Sequence, residues 1–216
     1  MLKEFRTRGP HRARTRGYTL IELLIVVAVL GLAGAMLVPM LGDRGDFDTQ
    51  GAVRRLAADM MFAQSDALAN QEHRRLVFIE DPDAEGQFLG WCVIKVRESE
   101  LGAEFDADTA RYVNDPLAPA GEDGRFIVNL RTDGRFGDTV VASVELDGGA
   151  SFITYDELGG TVTSTGQPGS GGEIVLRGGT SVYRVTIDGV TGKISIADIT
   201  NEAPELEVGA FGTVGG

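Results

Sequence analysis

Hydrophobic positions are distributed along this chain in three distinct rhythms. The first is continuous. From Leu20 to Leu41 almost every residue is apolar, and Leu23 to Gly42 is 20 residues long without a charge. As a helix that stretch is about 30 Å long, the thickness of a bilayer's hydrocarbon core. A buried core helix of this length carries a polar face, which this stretch lacks, so the pattern predicts a membrane helix. Gly42-Asp43-Arg44-Gly45-Asp46-Phe47-Asp48 follows and is rich in helix breakers, which predicts a joint or frayed turn. From Thr49 the rhythm has a helical period. Val53, Leu56, Ala57, Met60, Ala63, Ala67 and Leu68 recur at spacings of three and four, while Arg54, Arg55, Asp59, Gln64 and Asp66 fall mostly elsewhere. The expectation is an amphipathic helix to about Gln71, with Met60, Met61 and Phe62 in the core.

Beyond it the period shortens to two. Arg75–Glu80, Phe88–Arg97, Phe126–Leu130, Val140–Leu146, Ser151–Leu158, Gly172–Leu176, Ser181–Ile187 and Lys193–Ile199 read as short antiparallel strands. One face of the third is Phe126, Val128 and Leu130, and Val140, Ala142, Val144 and Leu146 repeat the alternation. Turns are expected at Asp133-Gly134, at Asp147-Gly148-Gly149 and at residues 188–192. Helices first and strands afterwards define the fold class as α+β: a long N-terminal hydrophobic helix packed on antiparallel β-sheet(s).

Charge gives the chain a direction. Residues 1–17 hold six basic residues and one acid, whereas the whole chain carries −12. The basic flank keeps residues 1–17 in the cytoplasm and sends the C-terminal body across the membrane. An acidic body repels phosphate backbones, so generic nucleic-acid binding is disfavoured. Cys92 is the single cysteine, which excludes an internal disulfide and a cysteine metal cluster.

Glu22 is then the anomaly, a lone carboxylate at the lip of the apolar run. A charge in a membrane costs a few kcal/mol on the order of insertion scales and marks a function by default, unless it dips into interfacial water. Gly17-Tyr18-Thr19-Leu20-Ile21-Glu22 resembles the type III signal of type IV pilins and type II secretion pseudopilins. The resemblance implies cleavage between Gly17 and Tyr18 by prepilin peptidase, methylation of Tyr18, and Glu22 as the fifth mature residue. Tyr18 stands where the family usually has phenylalanine, and the leader is somewhat long. The new α-amino group lies about one helical turn from Glu22. In the family the glutamate of one subunit meets the amino group of its neighbour, an attraction that low dielectric strengthens. Gly31 and Ala35 form a small-xxx-small pair suited to close helix packing. Pro39 removes one helix hydrogen bond and should kink or loosen the segment. Ala33-Gly34-Ala35 also resembles a secretory cleavage site, although apolar residues continue past it.

"ALAN" leading into a strand, and the terminal "GGEIVLRGGTSVYRVTIDGVTGKISI", resemble the GspH/FimT family of minor pseudopilins and pilins. That resemblance implies a cytoplasmic leader at 1–17, a transmembrane assembly helix at 18–41, a joint and amphipathic helix at 42–73, a periplasmic β-rich domain at 74–199 and a flexible acidic tail at 200–216. It implies a structural subunit of a periplasmic pseudopilus of a type II secretion system, anchored once in the bacterial inner membrane. The implied partners are prepilin peptidase, other pseudopilins or pilins, the inner-membrane assembly platform and exported proteins. The alternatives are a type IV pilus minor pilin, in DNA uptake or pilus biogenesis, and a lone membrane-tethered β protein.

The remaining chemistry is sparse. His11 falls in the leader, and His73 reads as a solvated helix C-terminal residue. No zinc-protease pair, nucleophile elbow or phosphate-binding loop is present, so neither an enzyme nor a cofactor is expected. Asp81-Pro82-Asp83-Ala84-Glu85-Gly86 begins like a calcium loop, but Cys92 stands where a bidentate glutamate is required, so no metal is expected. Asp106, Asp108 and Asp115 read as a plain acidic loop, and Trp91-Cys92 as core.

Overall fold

The computed structural model describes residues 18–42, 44–84, 86–117 and 121–202, with only the backbone described for 35–42, Arg44, 121 and 122. Gly17, with the rest of residues 1–17, and the acidic tail from residue 203 lie outside the described residues. The chain forms two compact units that divide after Gly42.

The first unit is α1 (Leu20–Gly42), and its helical assignment runs unbroken through Pro39. The second begins with α2 (Arg44–Asn70), so the break expected over residues 42–48 is corrected: Arg44 to Asp48 are already helical. The helix breakers serve docking instead. The Asp46 carboxylate accepts from the Thr180 amide and hydroxyl, both at 3.0 Å. Gly45 lies backbone to backbone against Gly179. Farther along, Ala52, Val53, Leu56, Met60, Ala63 and Ala67 are buried as the period requires. Phe62 is half-buried and stacks on Phe126 with centroids 5.2 Å apart. Met61 and Leu68 are exposed, and Leu68 flanks the Gly159 turn rather than entering the core.

Among the described residues ten strands make one sheet: β1 (His73–Glu80), β2 (Phe88–Val96), β3 (Arg111–Tyr112), β4 (Ile127–Asn129), β5 (Val140–Leu146), β6 (Phe152–Tyr155), β7 (Thr161–Val162), β8 (Gly171–Gly178), β9 (Ser181–Asp188) and β10 (Ile194–Asp198). The order is β10-β9-β8-β5-β2-β1-β6-β7, with β3 and β4 also on β2 and every pairing antiparallel. One edge of β2 is full length against β1, and the other is shared. Phe88 pairs with Val141 of β5, Gly90–Cys92 with β4, and Ile94–Lys95 with β3. Gly90 is required there, since a Cβ at that position would strike the Val128 carbonyl.

The main core lies between α2 and the sheet and includes Leu76, Phe78, Trp91, Val93, Val128, Ile153, Ile174 and Val185. A second cluster covers the opposite face of β1 and β2 and includes Val77, Cys92, Ile94 and Val96 with Leu101 and Val162. Because β1 and β2 are buried on both faces, their sequences are nearly continuous rather than alternating.

Three further expectations are corrected. His73 opens β1 rather than closing the helix. The strand expected over 151–158 stops at Tyr155, where Asp156 accepts from the amides of Leu158 and Gly160 and turns the chain. A bulge between Val141 and Ser143 shifts the phase of β5, so Val141, not Val140 or Ala142, is fully buried, while Leu146 keeps its inward position.

Candidate assembly helix and polar ties

Thr19 starts α1. Its carbonyl accepts from the amides of Glu22 and Leu23 at 3.1 Å, and its Oγ1 accepts from the Glu22 amide at 3.3 Å. This is half of a capping box, the Thr-x-x-Glu pattern ahead of an apolar run. Reading Glu22 as an anomaly passed over that local signal, although the four residues display it. Glu22 is the sole charge of α1 and lies in its first turn, where the helix dipole favours a carboxylate.

Every described side chain of α1 is exposed, from Leu20 at 82% to Val26 at 47%. A continuous apolar surface of this size in water marks contact with lipid or protein. The space beside Gly31 is open. The side chains of Ala35 and Pro39 lie outside the described residues, so the small-residue pair has no described geometry. Over the described residues, no helix is long and apolar enough to cross a membrane. Tyr18 is exposed at the start of the described chain, and Gly17 lies outside it.

In the globular unit Arg55, Asp59, Gln64 and Asp66 of α2 tie the helix to the rest of the fold, while Arg54 is exposed. Asp59, 2% exposed, accepts from Arg55 Nε and from the Trp91 indole, each at 2.8 Å. Burial pushes its carboxyl up to about 6, against the pull of Arg55. Arg55 also reaches Asp115 at 3.2 Å, so Asp115 is a buried partner and not part of a plain acidic loop. Gln64 donates to the carbonyls of Gly159 and Thr191, fixing two turns to the helix. Arg74, buried in β1, is paired with Asp66 and Glu72.

The other sequence candidates take ordinary places. Asp81 is paired with Arg131 and accepts from the Asp83 amide, and Asp106 likewise accepts from Asp108 and Thr109 in its own turn. Among the described residues no group of three or more potential ligands could hold a metal. Cys92 is fully buried, and burial pushes its thiol up to about 12, which leaves no thiolate near neutral pH.

An apolar helix, an amphipathic helix and an antiparallel sheet covered by it define a pilin-like α+β protein. Residues 12–38 match the prokaryotic N-terminal methylation motif, and residues 52–191 match type II transport protein GspH. The second match spans more than half of the chain, and the chain belongs to the GspH family, as a pseudopilin-like protein. No curated protein and no solved structure matches it.

Proposed function

We propose that this chain is a minor pseudopilin of a type II secretion system. Prepilin peptidase cuts it after Gly17 and methylates Tyr18. It then enters a short periplasmic fibre through α1. The observation that carries this reading is α1 itself, apolar around its perimeter with one carboxylate in its first turn. Such a surface needs a lipid bilayer before assembly and neighbouring helices after it. Before assembly the protein is held once in the inner membrane, its basic N-terminus in the cytoplasm and its sheet domain in the periplasm. In the fibre, Glu22 meets the α-amino group of an adjoining subunit, which sets the register between helices. The work is structural, and the family match supports a scaffold rather than a catalyst.

The test is the mature N-terminus. Protein extracted from its host's membranes should give a mass that begins at N-methylated Tyr18. A chain beginning at Met1 or at Met36 would overturn the reading.

A further inference from the structure

Three arginines of the globular unit have their guanidinium groups drawn into the fold. Arg55 faces Asp59 and Asp115, and Arg74 faces Asp66 and Glu72. Arg75 is 2% exposed, and no carboxylate among the described residues pairs with it. It sits on the face of β1 turned away from α2, beside Ile94 of β2 and Thr154 of β6. Its Nε donates to Thr154 Oγ1 at 2.9 Å, one terminal nitrogen donates to the Ala103 carbonyl at 3.1 Å and the other to the Leu101 carbonyl. The group lies 4.1 Å from the Phe152 ring centroid. A guanidinium has five N–H donors, so two remain beyond these three bonds. Burial lowers the Arg75 pKa to about 10, so the cation persists at neutral pH. A buried cation without a counter-ion is costly, and proteins pair such groups.

Arg75 also lines a cavity of about 370 Å³. The walls include Ile94, Val96, Phe105 and Ala110; Arg97 and Arg111 at its margin are both held by Glu100, and Lys95, Glu104 and Asp106 complete the charged lining. The cavity thus combines an apolar patch with a desolvated guanidinium and a mixed charged rim, where Lys95 is exposed and forms no salt bridge among the described residues.

We infer that this cavity binds a carboxylate side chain, an aspartate or glutamate on an extended segment of another polypeptide. The guanidinium fork matches a carboxylate in two-point geometry. Methylenes and flanking residues of the segment fill the apolar walls, which a small free anion would leave wet. This site does not depend on removal of the leader, so it stands or falls separately from the proposed processing.

The experiment uses the full chain in detergent and follows the Arg75 Nε–H resonance, assigned from its loss in Arg75→Lys. The probes are a capped Phe-Glu-Val tripeptide, its Phe-Gln-Val counterpart, glutarate and inorganic phosphate. The glutamate peptide should shift that resonance saturably and bind at least tenfold more tightly than the glutamine peptide. Glu104→Gln, which removes an exposed acid from the lining, should tighten the glutamate peptide a few-fold. Equal binding of the two peptides, an unmoved resonance at millimolar peptide, or tighter binding of glutarate or phosphate than of the peptide would each overturn the assignment.

Discussion

Asp59 is the residue at which helix, sheet and loop are tied together. Its two oxygens take Arg55 and the Trp91 indole, and Arg55 carries the connection on to Asp115. A raised carboxyl pKa has a definite consequence for stability. The folded state holds the proton up to about pH 6, whereas an unfolded aspartate releases it near the ordinary value of 3.8. Between those values the native state binds more protons, so the Asp59 contribution falls as pH rises through the window. The size is on the order of 2–3 kcal/mol at about 1.4 kcal/mol per unit. Urea unfolding of the wild type and of Asp59→Asn at pH 4 and pH 7 checks this. The wild type should lose stability relative to the variant by about that amount on going to pH 7. A constant difference between the two proteins would show that burial of the charged form is not what the fold works against there.

At the scale of elements, α2 shows where sequence periodicity is informative and where it is not. The stripe from Val53 to Ala67 was legible because a helix against a sheet repeats one face every three or four residues. The first turn was not legible. Gly45 and Asp46 read as breakers, yet they are the groups that touch Gly179 and Thr180 across the fold. The long strands were legible from their apolar runs, whereas β3 and β7 are two residues each, too short to display any period. The bulge in β5 shifted the inward face by one residue, a change set by pairing with β8 rather than by local sequence. Arg75 opened an expected strand with nothing in its neighbours to mark its surroundings, and only the loop carbonyls of Leu101 and Ala103 show that it is enclosed. Gly45 gives these opposing influences a sign. Helix propensity alone says that Gly45→Ala stabilises by up to about 1 kcal/mol. The contact says the reverse, because the added Cβ would lie 2.9 Å from Gly179 Cα and 3.3 Å from its nitrogen. Backbone cannot swing aside as a side chain does, so Gly45→Ala should destabilise by about 1–3 kcal/mol, a fall of several degrees in Tm. A higher melting temperature would show that the first turn of α2 is not held against the β8–β9 turn.

For the whole molecule the question is what the lone charge of α1 does. Two physical roles are open to a carboxylate in the first turn. It can support the helix start, where Thr19 already accepts from the Glu22 amide and the dipole favours negative charge. It can also meet the α-amino group of an adjoining subunit, as the proposed assembly requires. Glu22→Gln separates them. Glutamine keeps the side-chain length and serves a capping box as glutamate does, and the bond from the residue-22 amide to Thr19 Oγ1 does not involve the side chain. Only the charge is lost. A capping role alone therefore predicts a variant that inserts and assembles almost as the wild type, since a first-turn charge contributes about 0.3–1 kcal/mol. A pairing role predicts normal insertion and a failure of assembly, because the partner ammonium is left uncompensated in a medium where isolated charge costs several kcal/mol on the order of insertion scales. Quantifying the variant in membranes and in sheared fibres by immunoblot reads both arms. The membrane level should match the wild type, and the fibre level should fall at least tenfold. Wild-type incorporation would assign Glu22 to the helix start and leave register between subunits to the apolar surface of α1 alone.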